Sequence, residues 1–221
     1  MQTYTHFIAK IKNNLQNPIL PGLESQIKMA PITRLKEISR RFESSTENKE
    51  LLKNNPPRKS AVLILFYPID GKPHIAMIKR AADNSVHSRQ VSFPGGKIEE
   101  SDDSLIHTAL REANEEVGIN SIDVHIIGGL TKLYIPPSNF DVYPIVGFTD
   151  SRPEFITNEE VEHLIEVDFE SLSNPQTRTK KTIPLVEGKE AEVPCYYIQN
   201  EIIWGATAMI ISELLDIVGS E

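Results

Sequence analysis

Between Phe93 and Ile119 the chain reads FPGGKIEESDDSLIHTALREANEEVGI, and this stretch constrains the fold more than any other. It opens on a Pro-Gly-Gly break and crosses an acidic turn of Glu99, Glu100, Ser101, Asp102 and Asp103. It then takes on helical periodicity until Gly118. Ser101, Asp102 or Asp103 is expected to cap the first turn, and Gly118 suits the left-handed position after the last one. At about 100° per residue, Leu105, Ile106, Ala109, Leu110, Ala113 and Val117 form one apolar face that must meet a core. Glu112, Glu115 and Glu116 share an arc beside it. Carboxylates at i, i+3 and i+4 repel one another, and in the last turns of a helix they also oppose its dipole. A solvated glutamate face is the ordinary reading of such a pattern. A bound divalent cation would remove both penalties, because hard ions take carboxylate oxygens. The neighbouring Gly-Gly, where backbone approaches a ligand closely, and Arg111, which orients carboxylates or phosphates, favour the cation.

The segment resembles the signature of the Nudix hydrolases, Gly-x5-Glu-x7-Arg-Glu-U-x-Glu-Glu-x-Gly-U, where U is a bulky aliphatic residue. Its second half corresponds to Arg111, Glu112, Ala113, Asn114, Glu115, Glu116, Val117, Gly118 and Ile119. In the first half the turn is one residue longer. Counting forward from Gly96 puts the acidic position at Asp102, whereas counting back from Arg111 puts it at Asp103.

Composition limits the remaining choices. A chain of 221 residues, 39% hydrophobic, holds one good-sized domain with extensions. The single cysteine, Cys195, excludes an internal disulfide framework and fits a reducing compartment. The N-terminus has no apolar signal region, and the apolar run Ile202 to Val218 is short and broken by Glu213 and Asp216. A cytoplasmic protein with no membrane association is expected. A net charge of -8 argues against nucleic acid as a partner but not against a small phosphorylated substrate accompanied by a metal ion.

Residues 1–56 read as an N-terminal helical extension, with Phe7, Ile8, Ile11 and Leu15 at helical spacing and a second helix over Ile32 to Phe42 carrying Arg34, Lys36, Arg40 and Arg41. It is read as a solvated face or as a packing or dimer arm, which leaves a homodimer open. Residues 57–221 form the main domain. Strands are predicted at Ser60–Tyr67, His74–Arg80, Gln90–Phe93, Asp123–Thr131, Val142–Thr149 and Glu162–Asp168, with a hairpin-like pair at Lys181–Val186 and Val193–Ile198. A helix from Trp204 or Gly205 through Val218 closes the chain. Strands around one central helix, followed by a second long helix, predict an α/β fold: an α/β/α sandwich around a mixed β-sheet. The Nudix resemblance implies the same fold.

A second resemblance concerns substrate. Ile78-Lys79-Arg80, His87 and Gln90-Val91-Ser92-Phe93-Pro94-Gly95-Gly96 are similar to the motif that precedes the signature in the coenzyme A pyrophosphatase branch. Val142 to Gly147 and Ile203 to Thr207 resemble later phrases of that branch. Arg89 stands where the branch commonly has Gly, and Ser85 and Val86 also depart from it. The resemblance implies Mg²⁺ or Mn²⁺ held by Glu112, Glu115, Glu116 and the Gly96 carbonyl, with Arg111 orienting a carboxylate. It implies a general base at Glu116 or at Glu160, which lies in the phrase Asn158-Glu159-Glu160-Val161. Arg80, His87, Lys97 and Phe93 are expected on the substrate side, and Pro136 to Asn139 as a lip. Trp204 is read as core. The implied reaction cleaves the diphosphate of coenzyme A or its derivatives to 4′-phosphopantetheine and adenosine 3′,5′-bisphosphate. Two alternatives are another nucleoside diphosphate derivative as substrate (ADP-ribose, NADH, a dinucleotide or an NTP) and a non-catalytic nucleotide sensor.

Overall fold

The computed structural model describes residues 3–16, 19–32, 34–35, 55–83, 85–184 and 190–219. Residues 36–42 of the second predicted N-terminal helix lie outside the described residues. The sheet is built on strand β1 (Arg58–Ile69), which turns through Asp70 and Gly71, both at positive φ, into β2 (Lys72–Arg80). Strand β7 (Phe140–Phe148) runs parallel to β1 along Arg58–Phe66, and the other pairings are antiparallel, so the sheet is mixed. β8 (Val161–Asp168) flanks β2, while β5 (His125–Gly129) and β6 (Leu133–Ile135) flank β7. A separate three-stranded sheet joins β9 (Arg178–Pro184), β10 (Glu190–Ile198) and β11 (Glu201–Trp204).

Alternation along β1 separates two cores. Ala61, Leu63, Leu65 and Tyr67 pack with Ala109, Ala113 and Val117 of helix α3 (Leu105–Val117). Ile64 and Phe66 face the other way, toward α5 (Gly205–Gly219) and the N-terminal helix α1 (Tyr4–Leu15). This is the expected α/β/α sandwich. Phe7 of α1 makes edge-on contacts with Phe66 (5.3 Å) and with Phe169, the first residue of the short helix α4 (Phe169–Ser173), at 5.0 Å. The short helix α2 (Gly22–Gln26) docks on α5 through Glu213, which is fully buried. That carboxylate accepts the Gly22 and Thr131 N–H groups at 3.2 and 3.0 Å and the Gln26 amide at 2.8 Å. Part of the N-terminal extension thus shares the core of the domain.

Three local expectations need correction. Gly95 and Gly96 do not form a turn: they lie in a short strand, β4 (Gly95–Lys97), paired with Ser60–Val62 of β1. A Cβ on Gly95 would sit 2.4 Å from the Ala61 carbonyl oxygen, so this strand position requires glycine. Ile106 is 41% exposed rather than part of the apolar face of α3. The cap of α3 is Ser104, whose hydroxyl accepts the His107 N–H, and not Ser101, Asp102 or Asp103.

Candidate active site

Helix α3 sits beneath β1 and β4, with its apolar face on the sheet and its charged flank along β4. Gly118 ends it in the left-handed conformation at φ 74°. Behind the helix start, the turn from Glu99 to Asp102 closes on itself: the Glu99 carbonyl accepts the Asp102 N–H at 3.1 Å, and the Asp102 carboxylate accepts the Glu99 N–H at 2.9 Å. The Asp102 carboxylate is thereby turned back onto the helix. It accepts Nε and Nη2 of Arg111, both at 3.0 Å, and the Thr108 hydroxyl at 3.0 Å. Its side chain is wholly buried. The Arg111 bonds hold the Asp102 carboxyl far below the usual carboxylate range. Asp103 is exposed and makes no contact with Arg111.

Arg111 is the hub of the flank. It also donates to Glu112 at 3.0 Å, to Glu115 at 3.1 Å and to the Lys97 carbonyl at 3.1 Å. Glu112 lies against β4, where a Cβ on Gly96 would fall 2.4 Å from the glutamate carboxyl carbon. Burial raises the Glu112 pKa, opposed by Arg111. Glu115 is half exposed. Glu116 is only 2% exposed; it accepts the Gly95 N–H at 2.8 Å and Nη1 of Arg80 at 3.2 Å. Burial dominates these two contacts and pushes Glu116 up to about 7. Arg80 is shared with Glu160, whose carboxylate lies 3.9 Å from Nη2 and is largely exposed. The segment bearing Glu160 is tied to the helix end by Ile156 N–H to Val117 O (3.1 Å) and Asn158 N–H to Glu116 O (3.2 Å).

Arg80, Gly96, Arg111, Glu112, Glu115, Glu116 and Glu160 therefore surround one strand–helix junction. Lys97 lies at the same place, with its side chain in solvent and its carbonyl on Arg111. Phe93 does not join them: it is 2% exposed in the core facing α5, because its neighbours in β3 (Val91–Ser92) turn it inward. His87 points elsewhere, to Gln90 and to Ser138 in the turn before β7. Among the described residues no group of three or more His, Cys, Asp or Glu side chains is gathered around a single point. Glu112 and Glu115 are engaged by Arg111, and Glu116 by Arg80 and Gly95. The donor set nonetheless suits a hard divalent cation. It offers carboxylate oxygens of partly uncompensated charge beside a glycine whose missing side chain leaves room for Glu112.

The NUDIX domain matches residues 57–187, more than half of the chain, and spans this junction. The chain belongs to the Nudix hydrolase family. Its relatives include uncharacterized Nudix hydrolases NudL of Yersinia pestis (strain Pestoides F) and Yersinia pseudotuberculosis (serotype O:1b). Each is 41% identical over 161 residues, which is 71% of this chain and 78% of the relative. Among solved structures, a MutT protein from Methanosarcina mazei Go1 superposes with a TM-score of 0.49 at 18% identity, covering 76% of this chain and 98% of that one. Nudix hydrolases act on the diphosphate linkage of small nucleotide-like molecules and generally use divalent ions such as Mg²⁺ or Mn²⁺. The Nudix helix here is α3. Two residues of its surroundings escaped the sequence: Ser104 as the cap, and Ser138, whose only signal was a Pro-Pro-Ser-Asn loop.

Proposed function

We propose that this Nudix hydrolase cleaves the diphosphate of coenzyme A or its derivatives, releasing 4′-phosphopantetheine and adenosine 3′,5′-bisphosphate, in a reducing, cytoplasmic compartment. The observation that carries the reaction class is the buried, under-compensated Glu116 beside Glu112, with Arg80 and the Gly95 N–H bracketing it. The substrate assignment is supported by the coenzyme A-branch phrases Ile78–Arg80 and Gln90–Gly96, which flank that carboxylate. Residues 57–221 are taken as the catalytic unit, with 1–56 as an N-terminal extension whose described helices α1 and α2 pack against it.

Glu112, Glu115 and Glu116, with the Gly96 carbonyl, would hold Mg²⁺ or Mn²⁺. A divalent cation there neutralises diphosphate charge and makes water a stronger nucleophile at neutral pH. The protein's own groups do the rest. Arg111 fixes the rotamers of Glu112 and Glu115, with Nε, Nη1 and Nη2 each donating within the protein. Arg80 spans Glu116 and Glu160 and is the group best placed to take a phosphate oxygen, with Lys97 exposed at the far end of β4. Two carboxylates qualify as general base. Glu116 has an affinity for protons near neutrality, the range a base needs. Glu160 is solvent-accessible and within reach of the same arginine.

The test is hydrolysis of coenzyme A beside ADP-ribose, NADH, diadenosine polyphosphates and dGTP with Mg²⁺ or Mn²⁺, products resolved by mass. Fastest cleavage of coenzyme A to adenosine 3′,5′-bisphosphate is expected. Faster cleavage of another substrate overturns the coenzyme A assignment and leaves the reaction class. No cleavage with either metal overturns both and favours a nucleotide sensor.

A further inference from the structure

Between β2 and β3 the structure describes residues 81–83 and 85–90, and hydrogen bonds link them. Arg80 N–H donates to the Gln90 carbonyl at 3.0 Å and closes the base of this connection. The Asp83 carboxylate accepts the Ser85 N–H (3.0 Å) and hydroxyl (2.7 Å), and the Ser88 hydroxyl accepts the Asp83 N–H at 3.0 Å. Arg89 stands at φ 57°, a conformation usually left to glycine, so the segment is held against a local preference.

For the neutral ring, the polar chain through His87 has one consistent proton assignment. The Gln90 amide nitrogen donates to the Val86 carbonyl at 3.0 Å, which leaves the Gln90 side-chain oxygen facing His87 Nδ1 at 3.2 Å. That oxygen only accepts, so Nδ1 carries the proton of the neutral ring. Nε2 is then the acceptor of the Ser138 hydroxyl at 3.1 Å. Both ring nitrogens are thus used within the protein, and neither is left for a substrate. Ser138 is itself anchored, because its carbonyl accepts Nη2 of Arg58 at 3.0 Å and the Arg58 guanidinium lies 4.1 Å over the Phe140 ring. At this end of the sheet the pairings put β4 and the first half of β1 between β3 and β7. The His87–Ser138 contact therefore carries the segment past β4, the strand that holds Gly95 and Gly96.

We propose that His87 is a positioning residue: with Ser138 it straps the β2–β3 connection across the end of β4 and fixes where the substrate portion remote from the diphosphate is held. The inference rests on the proposed function in one respect, that this segment lies on the substrate side. It revises the expectation that His87 itself contacts substrate.

The test compares the intact protein with S138A and S138T, on whichever substrate of the panel is cleaved fastest. S138A removes one hydroxyl from a half-exposed turn. It should raise KM about fivefold to tenfold, the scale of one hydrogen bond, with kcat changed less than about twofold. S138T should restore KM. Imidazole ¹⁵N signals of the unmodified protein should put the His87 proton on Nδ1, with Nε2 shifting in S138A and returning in S138T. Unchanged KM in S138A, or a fall in kcat at constant KM, overturns the positioning role. An Nε2–H tautomer indifferent to S138A overturns the strap itself. If no substrate is cleaved, the proposed function fails separately. The strap is then judged by the imidazole signals and by amide hydrogen exchange over 85–90, which should accelerate in S138A and stay unchanged if the strap is absent.

Discussion

Asp102 and Glu116 are buried carboxylates held against the two ends of one helix, and their surroundings treat them in opposite ways. Asp102 meets a guanidinium squarely, a hydroxyl and a backbone N–H, and its pKa is driven down. Glu116 receives one backbone N–H and one longer contact from an arginine that it shares with Glu160; its pKa is driven up to about 7. Burial opposes ionisation at both, but at Asp102 the Arg111 bonds outweigh it, whereas the deeper Glu116 has burial as the dominant cause and fewer bonds to offset it. A fully compensated carboxylate fixes geometry. One left short of positive charge is suited to receive it from a ligand.

The difference can be broken from either side. Glu116→Gln should lower kcat by roughly 10² to 10⁴, the range for a lost acid–base or charge-stabilising group. The melting temperature of the metal-free protein should be held or raised near pH 8. The sign follows from the raised pKa. The folded state disfavours the Glu116 anion, so the carboxylate costs stability increasingly as pH rises from the ordinary carboxylate range to about 7, the cost is constant above that, and the amide does not incur it. A large fall in melting temperature with kcat intact would reverse the roles given to the two ends.

Asp102→Ala should do the converse. It takes from Arg111 its bonds to the buried carboxylate, from the Thr108 hydroxyl the shorter of its two bonds and from the Glu99 N–H its acceptor, at a cost of about 3 kcal/mol, or roughly 6 to 12 °C in melting temperature. Activity per folded molecule should fall less than in Glu116→Gln. Asp102→Asn is the finer probe. Because the Asp102 pKa is depressed by folding, its stabilisation is complete above the ordinary carboxylate range and is lost as pH falls below about 4. The gap in melting temperature between parent and Asp102→Asn should be widest near neutrality and shrink toward pH 2. A gap constant over that range would mean that the charge on Asp102 contributes nothing.

Much of this site was legible because its signals are local. The left-handed stop of α3 at Gly118 and the shared flank of Glu112, Glu115 and Glu116 follow from local signals, the glycine and the helix periodicity. Choosing between Asp102 and Asp103 needed the closed turn at Glu99, which no spacing rule supplies. The sequence of Gly95 and Gly96 suggests a turn because their strand partners, Val62 and Ala61, are distant along the chain. Phe93 was placed near substrate by its motif, but β3 turns it into the core. The partners of His87 stayed hidden for the same reason, since Ser138 belongs to another strand connection. For α1, the apolar spacing of Phe7, Ile8 and Ile11 was visible, whereas its packing on Phe66 and Phe169 was not.

The central claim, that the Nudix helix carries a divalent-cation site built on Glu112, Glu115 and Glu116 beside the Gly96 carbonyl, is tested most directly by Mn²⁺ binding. Free Mn²⁺ would be followed by electron paramagnetic resonance as intact protein is added, and the titration repeated with the double variant Glu112→Gln/Glu116→Gln. The parent should deplete the free Mn²⁺ signal and the double variant should leave it near that of buffer, with matching circular dichroism spectra. Equal depletion by the two folded proteins would place the cation elsewhere and contradict the account.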